Sequence, residues 1–158
     1  MKRVKTMSKV KTYIISILIP VALGGLVGFL ISGSMNYDQL NQPPLSPPGI
    51  LFPIVWTILY ILMGVSYGML KTRALADNEV NLIYFVQLGV NLLWPIAFFV
   101  LQWRLFAFFW IILLDVLVIA MIVKFYRRYK TAGYLQIPYL AWVLFASYLN
   151  LGVYILNR

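Results

Sequence analysis

The sequence predicts an all-α integral membrane protein, a bundle of five transmembrane helices forming a single domain over residues 1–158. Two observations support this. First, 63% of the 158 residues are hydrophobic and 11% charged, with a mean hydropathy of +0.88. A soluble domain of this size cannot hide that much apolar surface, so the bilayer must be its solvent. Second, the apolar residues gather into five stretches, 13–32, 50–70, 80–101, 105–125 and 134–156. Each is close to the about 20 residues a helix needs to cross a bilayer.

The first stretch follows a basic segment and could be mistaken for a signal peptide. It is longer than an h-region of about 7–15 residues and no small-x-small site closes it, so it reads as a retained span. It contains Gly24-Gly25-Leu26-Val27-Gly28, a GxxxG pattern that lets another backbone approach closely. The loop after it runs PPLSPPG straight into the second span. Pro43, Pro44, Pro47 and Pro48 make it stiff and extended, as expected of a shaped lid over a cavity. The second span carries Trp56 and Tyr60 one turn apart and a second GxxxG, Gly64 to Gly68. Packing within the protomer is the favoured reading of both glycine pairs, over a dimer seam.

On the third span Gln87, Asn91 and Trp94 share a face, which is costly against lipid and is expected to point inward. The connection around residues 102–104 is short, so spans three and four form a tight antiparallel pair. Asp115 is the one acid deep in a span. Such a carboxylate is a functional candidate by default, but no other titratable group accompanies it. A structural hydrogen bond is the better expectation. The fifth span carries a stripe of Trp142, Phe145, Ala146, Leu149 and Asn150. Pro20, Pro53, Pro95 and Pro138 fall inside or near the start of four spans, predicting bent helices with gaps between them.

The charges are distributed unevenly. Eleven of the 13 Lys and Arg fall at one end of the bundle: Lys2, Arg3, Lys5, Lys9, Lys11, Lys71, Arg73, Lys124, Arg127, Arg128 and Lys130. Arg104 and Arg158 stand at the other. The positive-inside rule then places the amino terminus in the cytoplasm and the proline loop and carboxyl terminus outside. The net charge of +9 thus reflects topology and lipid contact, and no nucleic-acid partner is expected. Histidine and cysteine are both absent. That excludes disulfides, thiol nucleophiles, imidazole acid–base chemistry and His or Cys metal ligands, so no metal site and no conventional catalytic constellation is expected.

Three motifs together resemble one family. PPxxxPPGxxFxxVWTxLYxxMG (43–64), QLxxNxxWPxxxFF (87–99) and PYLAWxxFAxxLN (138–150) look like those of the tryptophan-rich sensory proteins. The mitochondrial relatives of that family (TspO/MBR) are the translocator protein, or peripheral-type benzodiazepine receptor. The resemblance implies a five-helix homodimer with a ligand pocket beneath the first loop. Its ligands would be porphyrins and other tetrapyrroles, isoquinoline carboxamides, benzodiazepines and in some cases sterols. No cofactor is implied, the porphyrin being a ligand. By matching positions Trp56, Asn91, Trp94, Trp142, Ala146 and Leu149 would line the pocket, with Tyr60 beside Trp56 and with Pro47 and Pro48 in its lid. One departure is Leu45, where the family often has a tryptophan.

The function this implies is a membrane receptor or sensor of tetrapyrroles; the short chain and basic amino terminus suit a bacterial plasma membrane, with a mitochondrial outer membrane the alternative by family analogy. A light-dependent porphyrin-degrading enzyme using Trp56 and Trp142 is an alternative, as is a tetrapyrrole or sterol transporter. The sterol partner rests on Leu151-x-x-Tyr154-x-x-x-Arg158, which fits a degenerate cholesterol pattern that many apolar helices match by chance.

Overall fold

The computed structural model describes the backbone of residues 2–158 and the side chains of residues 8–158. The readings placed on Lys2, Arg3 and Lys5 therefore lie outside the described side chains. The described residues form six α-helices and no strands: α1 (Lys2–Ile31), α2 (Leu51–Thr72), α3 (Asn78–Pro95), α4 (Arg104–Arg128), the short α5 (Lys130–Tyr134) and α6 (Ile137–Leu156). Five segments are long and apolar enough to cross a membrane, α5 and α6 together supplying the fifth.

Local chemistry sets the helix ends. Asp77 caps α3, its Oδ1 accepting from Val80 N at 3.0 Å, which satisfies one of the free first-turn donors. At the end of α2, Leu75 N donates to Leu70 O at 2.8 Å and Ala74 N to Lys71 O at 3.1 Å. This is a Schellman turn with Ala74 at φ 56° where glycine is usual. Pro95 has no N–H to donate, and beyond it Ile96–Val100 widens into a π-helical turn closed by Leu101 N to Ile96 O at 3.0 Å.

The expectation of four proline-bent spans needs correction. Pro20 and Pro95 lie inside helices. Pro53 is the third residue of α2 and Pro138 the second of α6, where a missing N–H costs nothing because first-turn donors have no intrahelical acceptor.

The helices form a closed ring. α1 packs against α2 and α3, α3 against α4, α4 against α6, and α5 against both α4 and α2. Trp56 of α2 meets Tyr139 of α6 edge to face at 6.3 Å, and Phe52 meets Trp142 at 5.7 Å. The glycine pair of α2 serves the α1–α2 contact, as favoured from sequence. A Cβ at Gly64 would run into the backbone of Ile17 and Ser16, and one at Gly68 into the Tyr13 ring.

Ion pairs join the ends of α3 and α4. Lys124 Nζ lies 3.0 Å from Glu79 Oε2, and Arg128 pairs with Asp77. Arg73 covers the Tyr129 ring, its guanidinium carbon 4.2 Å from the ring centre. The basic residues of these helix ends therefore share one end of the bundle.

Candidate functional site

A cavity of about 370 Å³ opens among α1, α2 and α3 at the end of the bundle opposite these ion pairs. That size is within the range of about 300–1,000 Å³ typical of small-molecule sites. Phe52, Pro53, Trp56, Thr57 and Tyr60 line it from α2, and Asn91, Trp94, Pro95 and Phe99 from α3 and the wide turn after it. The α1 wall is Val21, Gly24, Gly25, Val27 and Gly28, and Ile31 and Met35 complete the lining.

The aromatic walls are fixed by their neighbours. Trp56 stacks on Tyr60 with ring centres 5.8 Å apart and planes inclined at 29°. Trp94 stacks on Phe98 at 5.2 Å and meets Phe99 edge-on at 6.2 Å. Gly24 lies against the Tyr60 ring, so a Cβ there would collide with it, whereas Gly25 and Gly28 face open space. At Gly25 and Gly28 the α1 wall therefore presents backbone, between the side chains of Val21 and Val27.

Most polar side chains of the site bond within the protein. The Tyr60 hydroxyl donates to Asn91 Oδ1 at 2.7 Å, and Asn91 Nδ2 donates to the Tyr139 hydroxyl at 2.6 Å. The Tyr139 hydroxyl donates to Gln87 Oε1 at 2.9 Å, and Gln87 Nε2 to the Tyr84 carbonyl at 2.9 Å. This chain crosses the interior from α2 through α3 to α6 and back. Trp94 Nε1 donates to Asn150 Oδ1 at 2.9 Å, and Asn150 Nδ2 to the Arg104 carbonyl at 2.8 Å. Thr57 Oγ1 returns to the Pro53 carbonyl at 2.7 Å. The cavity therefore offers ring faces and glycine backbone, with these hydrogen-bonding groups already engaged. Among the described residues no Asp, Glu, Lys or Arg side chain lines it.

Four of the residues singled out in the sequence meet here: Trp56, Tyr60, Asn91 and Trp94. Trp142, Ala146 and Leu149 stand on α6 outside this lining. Ala146 and Leu149 are 3% exposed. Trp142 packs against Phe52 and Phe145, both at 5.7 Å, with its Nε1 buried and unpartnered. It reaches the cavity through the Phe52 ring.

Pro47 and Pro48 do not line the cavity either. The first loop is tied down to α6: the Tyr148 hydroxyl donates to Pro44 O at 2.8 Å, and Asn157 Nδ2 donates to Asn41 O at 2.8 Å. Gly152 sits so close to Pro43 that a Cβ would collide with its ring. Met35, nearer the start of the loop, is the loop residue that reaches the cavity.

Asp115 also lies apart, between α4 and α6. Its Oδ2 accepts from the Ser147 hydroxyl at 2.8 Å, and its Oδ1 is buried without a partner. The expectation of a structural hydrogen bond holds.

Sequence reasoning missed the α1 wall and Tyr139. The wall has a signal in Gly24, Gly25 and Gly28, read from sequence as packing alone. Tyr139 has none, since nothing on the fifth span shows that its hydroxyl meets Gln87 and Asn91 of the third.

The sequence pattern of the TspO/MBR family matches residues 16–156. The chain is 42% identical to the tryptophan-rich protein TspO of Archaeoglobus fulgidus over 145 residues, spanning 90% of this chain and 94% of that protein. It is 40% identical to the protein of the same name from Chlorobaculum tepidum over 127 residues, 78% of this chain and 80% of the other. With the translocator protein of Bos taurus it shares 31% identity over 136 residues, 82% and 80% of the two chains. With five apolar helices, the three sequence motifs and these relatives in agreement, the chain belongs to the TspO/MBR family.

Proposed function

We propose that the protein is a membrane receptor that binds a flat, hydrophobic tetrapyrrole in the cavity among α1, α2 and α3. The observation that carries this reading is the lining itself. Trp56 and Trp94 share the lining with Gly25 and Gly28, and Tyr60, Asn91 and Trp94 have their polar groups already bonded. Such a site rewards a broad apolar plane, each aromatic pair adding about 0.5–1.5 kcal/mol beyond buried area. It gives a small polar solute little. Isoquinoline carboxamides share the flat shape and would compete for the same space.

The experiment is a titration of protoporphyrin in the dark, read by quenching of tryptophan fluorescence in detergent. Saturable quenching that is lost in Trp56→Ala with Trp94→Phe supports the reading. An unchanged curve in that pair removes the cavity as the site.

The Trp56–Tyr60 stack favours a second reading, photochemical breakdown of the bound porphyrin. Light-excited porphyrin would take an electron from the Trp56 indole, with dioxygen as terminal oxidant. Illumination of the same sample separates the two readings. A receptor returns the porphyrin spectrum of the free pigment, while an enzyme gives a product that Trp56→Phe abolishes.

In this reading the basic end faces the cytoplasm and the cavity opens toward the other face, as the asymmetry of Lys and Arg favours. The homodimer implied by the family is tested by light scattering of the detergent complex.

A further inference from the structure

A second recess, open and of about 380 Å³, lies at the same end of the bundle as the cavity. It lies between the start of α4 and the end of α6. We propose that it holds the phosphate group of an anionic membrane lipid, gripped by Arg104 and Arg158, with an acyl chain running down the outer face of α4.

Charge accounting supports this. Arg104 and Arg158 both line the one recess, and no acidic side chain among the described residues lines it. The sequence has four acids in all, and each is placed elsewhere. Asp77 and Glu79 pair with Arg128 and Lys124 at the opposite end. Asp115 bonds Ser147 within the bundle, and Asp38 accepts from Gly49 N in the first loop. Arg104 Nε is buried and has no hydrogen-bond partner among the described residues, a costly state for a charged donor. The Arg104 carbonyl is meanwhile held by Asn150. No acidic side chain lines the recess to answer the two guanidinium groups, and a phosphate matches the guanidinium fork.

The surroundings favour a lipid over a free phosphate. Trp103, which is 57% exposed, and Tyr154 flank the arginines, and both residue types prefer the headgroup depth. Below them Leu105, Phe106 and Phe109 are 42%, 51% and 63% exposed. Phe109 follows Leu105 by four residues and Phe106 by three, so they form one apolar track. A headgroup site continuous with such a track fits an amphiphile.

The test uses the full chain, delipidated in detergent and examined by native mass spectrometry with phosphatidylglycerol or phosphatidylcholine. The wild type should retain phosphatidylglycerol preferentially. Arg158→Gln should weaken this by about fivefold and Arg104→Gln with Arg158→Gln by about thirtyfold, taking the usual strength of a basic residue at an anionic surface. Arg104→Lys, which keeps the charge and loses the fork, should fall between, and it serves if Arg104→Gln does not fold. Arg127→Gln, at the opposite end, should change retention by less than about twofold, since it lies beyond the reach of screened charge. Equal retention by wild type and the double variant would overturn the proposal, as would an equal loss in Arg127→Gln. Displacement of the lipid by millimolar glycerol 3-phosphate would reassign the recess to soluble phosphates and overturn the lipid assignment.

Discussion

Tyr60 on α2 and Asn91 on α3 are joined across the wall of the cavity by a hydrogen bond of 2.7 Å. Asn91 then passes the connection to Tyr139 on α6. The side chain shaping the site is thereby tied to three helices at once. Removing the Tyr60 hydroxyl leaves Asn91 Oδ1 without that donor, and removing Asn91 strands the Tyr60 hydroxyl while Tyr139 keeps Gln87. Interhelical hydrogen bonds in bilayers average under about 1 kcal/mol, because the unfolded chain in the membrane also finds partners. A double-mutant cycle of Tyr60→Phe and Asn91→Ala, followed by unfolding in mixed micelles, should give a coupling of about 1 kcal/mol. Additive losses would show that the pair does not act as a unit.

The glycines of α1 and α2 make opposite predictions. Gly28 faces open space on the cavity wall, whereas a Cβ at Gly64 would enter the backbone of Ile17. Gly28→Leu should leave the melting temperature near that of the wild type. It should also weaken protoporphyrin binding more than about tenfold, roughly 1.4 kcal/mol, by filling the cavity. Gly64→Ala should instead lower stability by about 1–3 kcal/mol, the cost of overpacking a closed contact. A Gly28→Leu protein that binds normally would count against the cavity as the site.

How far the sequence can be read follows from what each pattern reports. Hydropathy found five spans because the bilayer imposes a length on each helix independently. Spacing within α3 brought Asn91 and Trp94 to one inward face, since residues three and four apart on a helix are neighbours. Where two helices meet, neither pattern speaks. Tyr139 joins Gln87 and Asn91 only after α6 has been set beside α3. Gly24, Gly25 and Gly28 lie in one pentapeptide, yet Gly24 supports the Tyr60 ring while the other two bound a cavity. The proline loop was expected to cover the cavity. Its anchoring to Tyr148, Gly152 and Asn157 of the last span and the residue after it depends on contacts more than a hundred residues apart in the chain.

The Schellman turn that ends α2 places Ala74 at φ 56°, where an L-residue with a Cβ is strained by about 1–2 kcal/mol. Glycine has no such strain but loses more backbone entropy on folding, about 0.5–1 kcal/mol. Ala74→Gly should therefore stabilise the protein by about 0.5–1 kcal/mol, read as a higher midpoint in micellar unfolding. Ala76→Gly, two residues on, has no strained φ to relieve and should not stabilise. A gain at both positions would point to a general loosening of the loop and away from relief at Ala74.

The cap of α3 gives the bundle an acid-sensitive joint. The Asp77 carboxylate is held below its ordinary value first by the Val80 backbone N–H and further by Arg128. An unfolded chain would titrate Asp77 near its ordinary value of about 3.9. With the folded pKa the lower of the two, the native state binds this proton less readily than the unfolded state does. Its stabilisation is then complete above the unfolded pKa and is lost as pH falls through the folded one. Unfolding midpoints should be flat from pH 7 to pH 5 as far as this group is concerned, and should drop below about pH 4. Asp77→Asn keeps an oxygen to cap Val80 N and removes the titrating charge. Its midpoint should start lower than the wild type's at pH 7, for want of the Arg128 pair, and fall less steeply on acidification. Parallel pH profiles for the two proteins would mean that the Asp77 cap contributes none of the acid sensitivity.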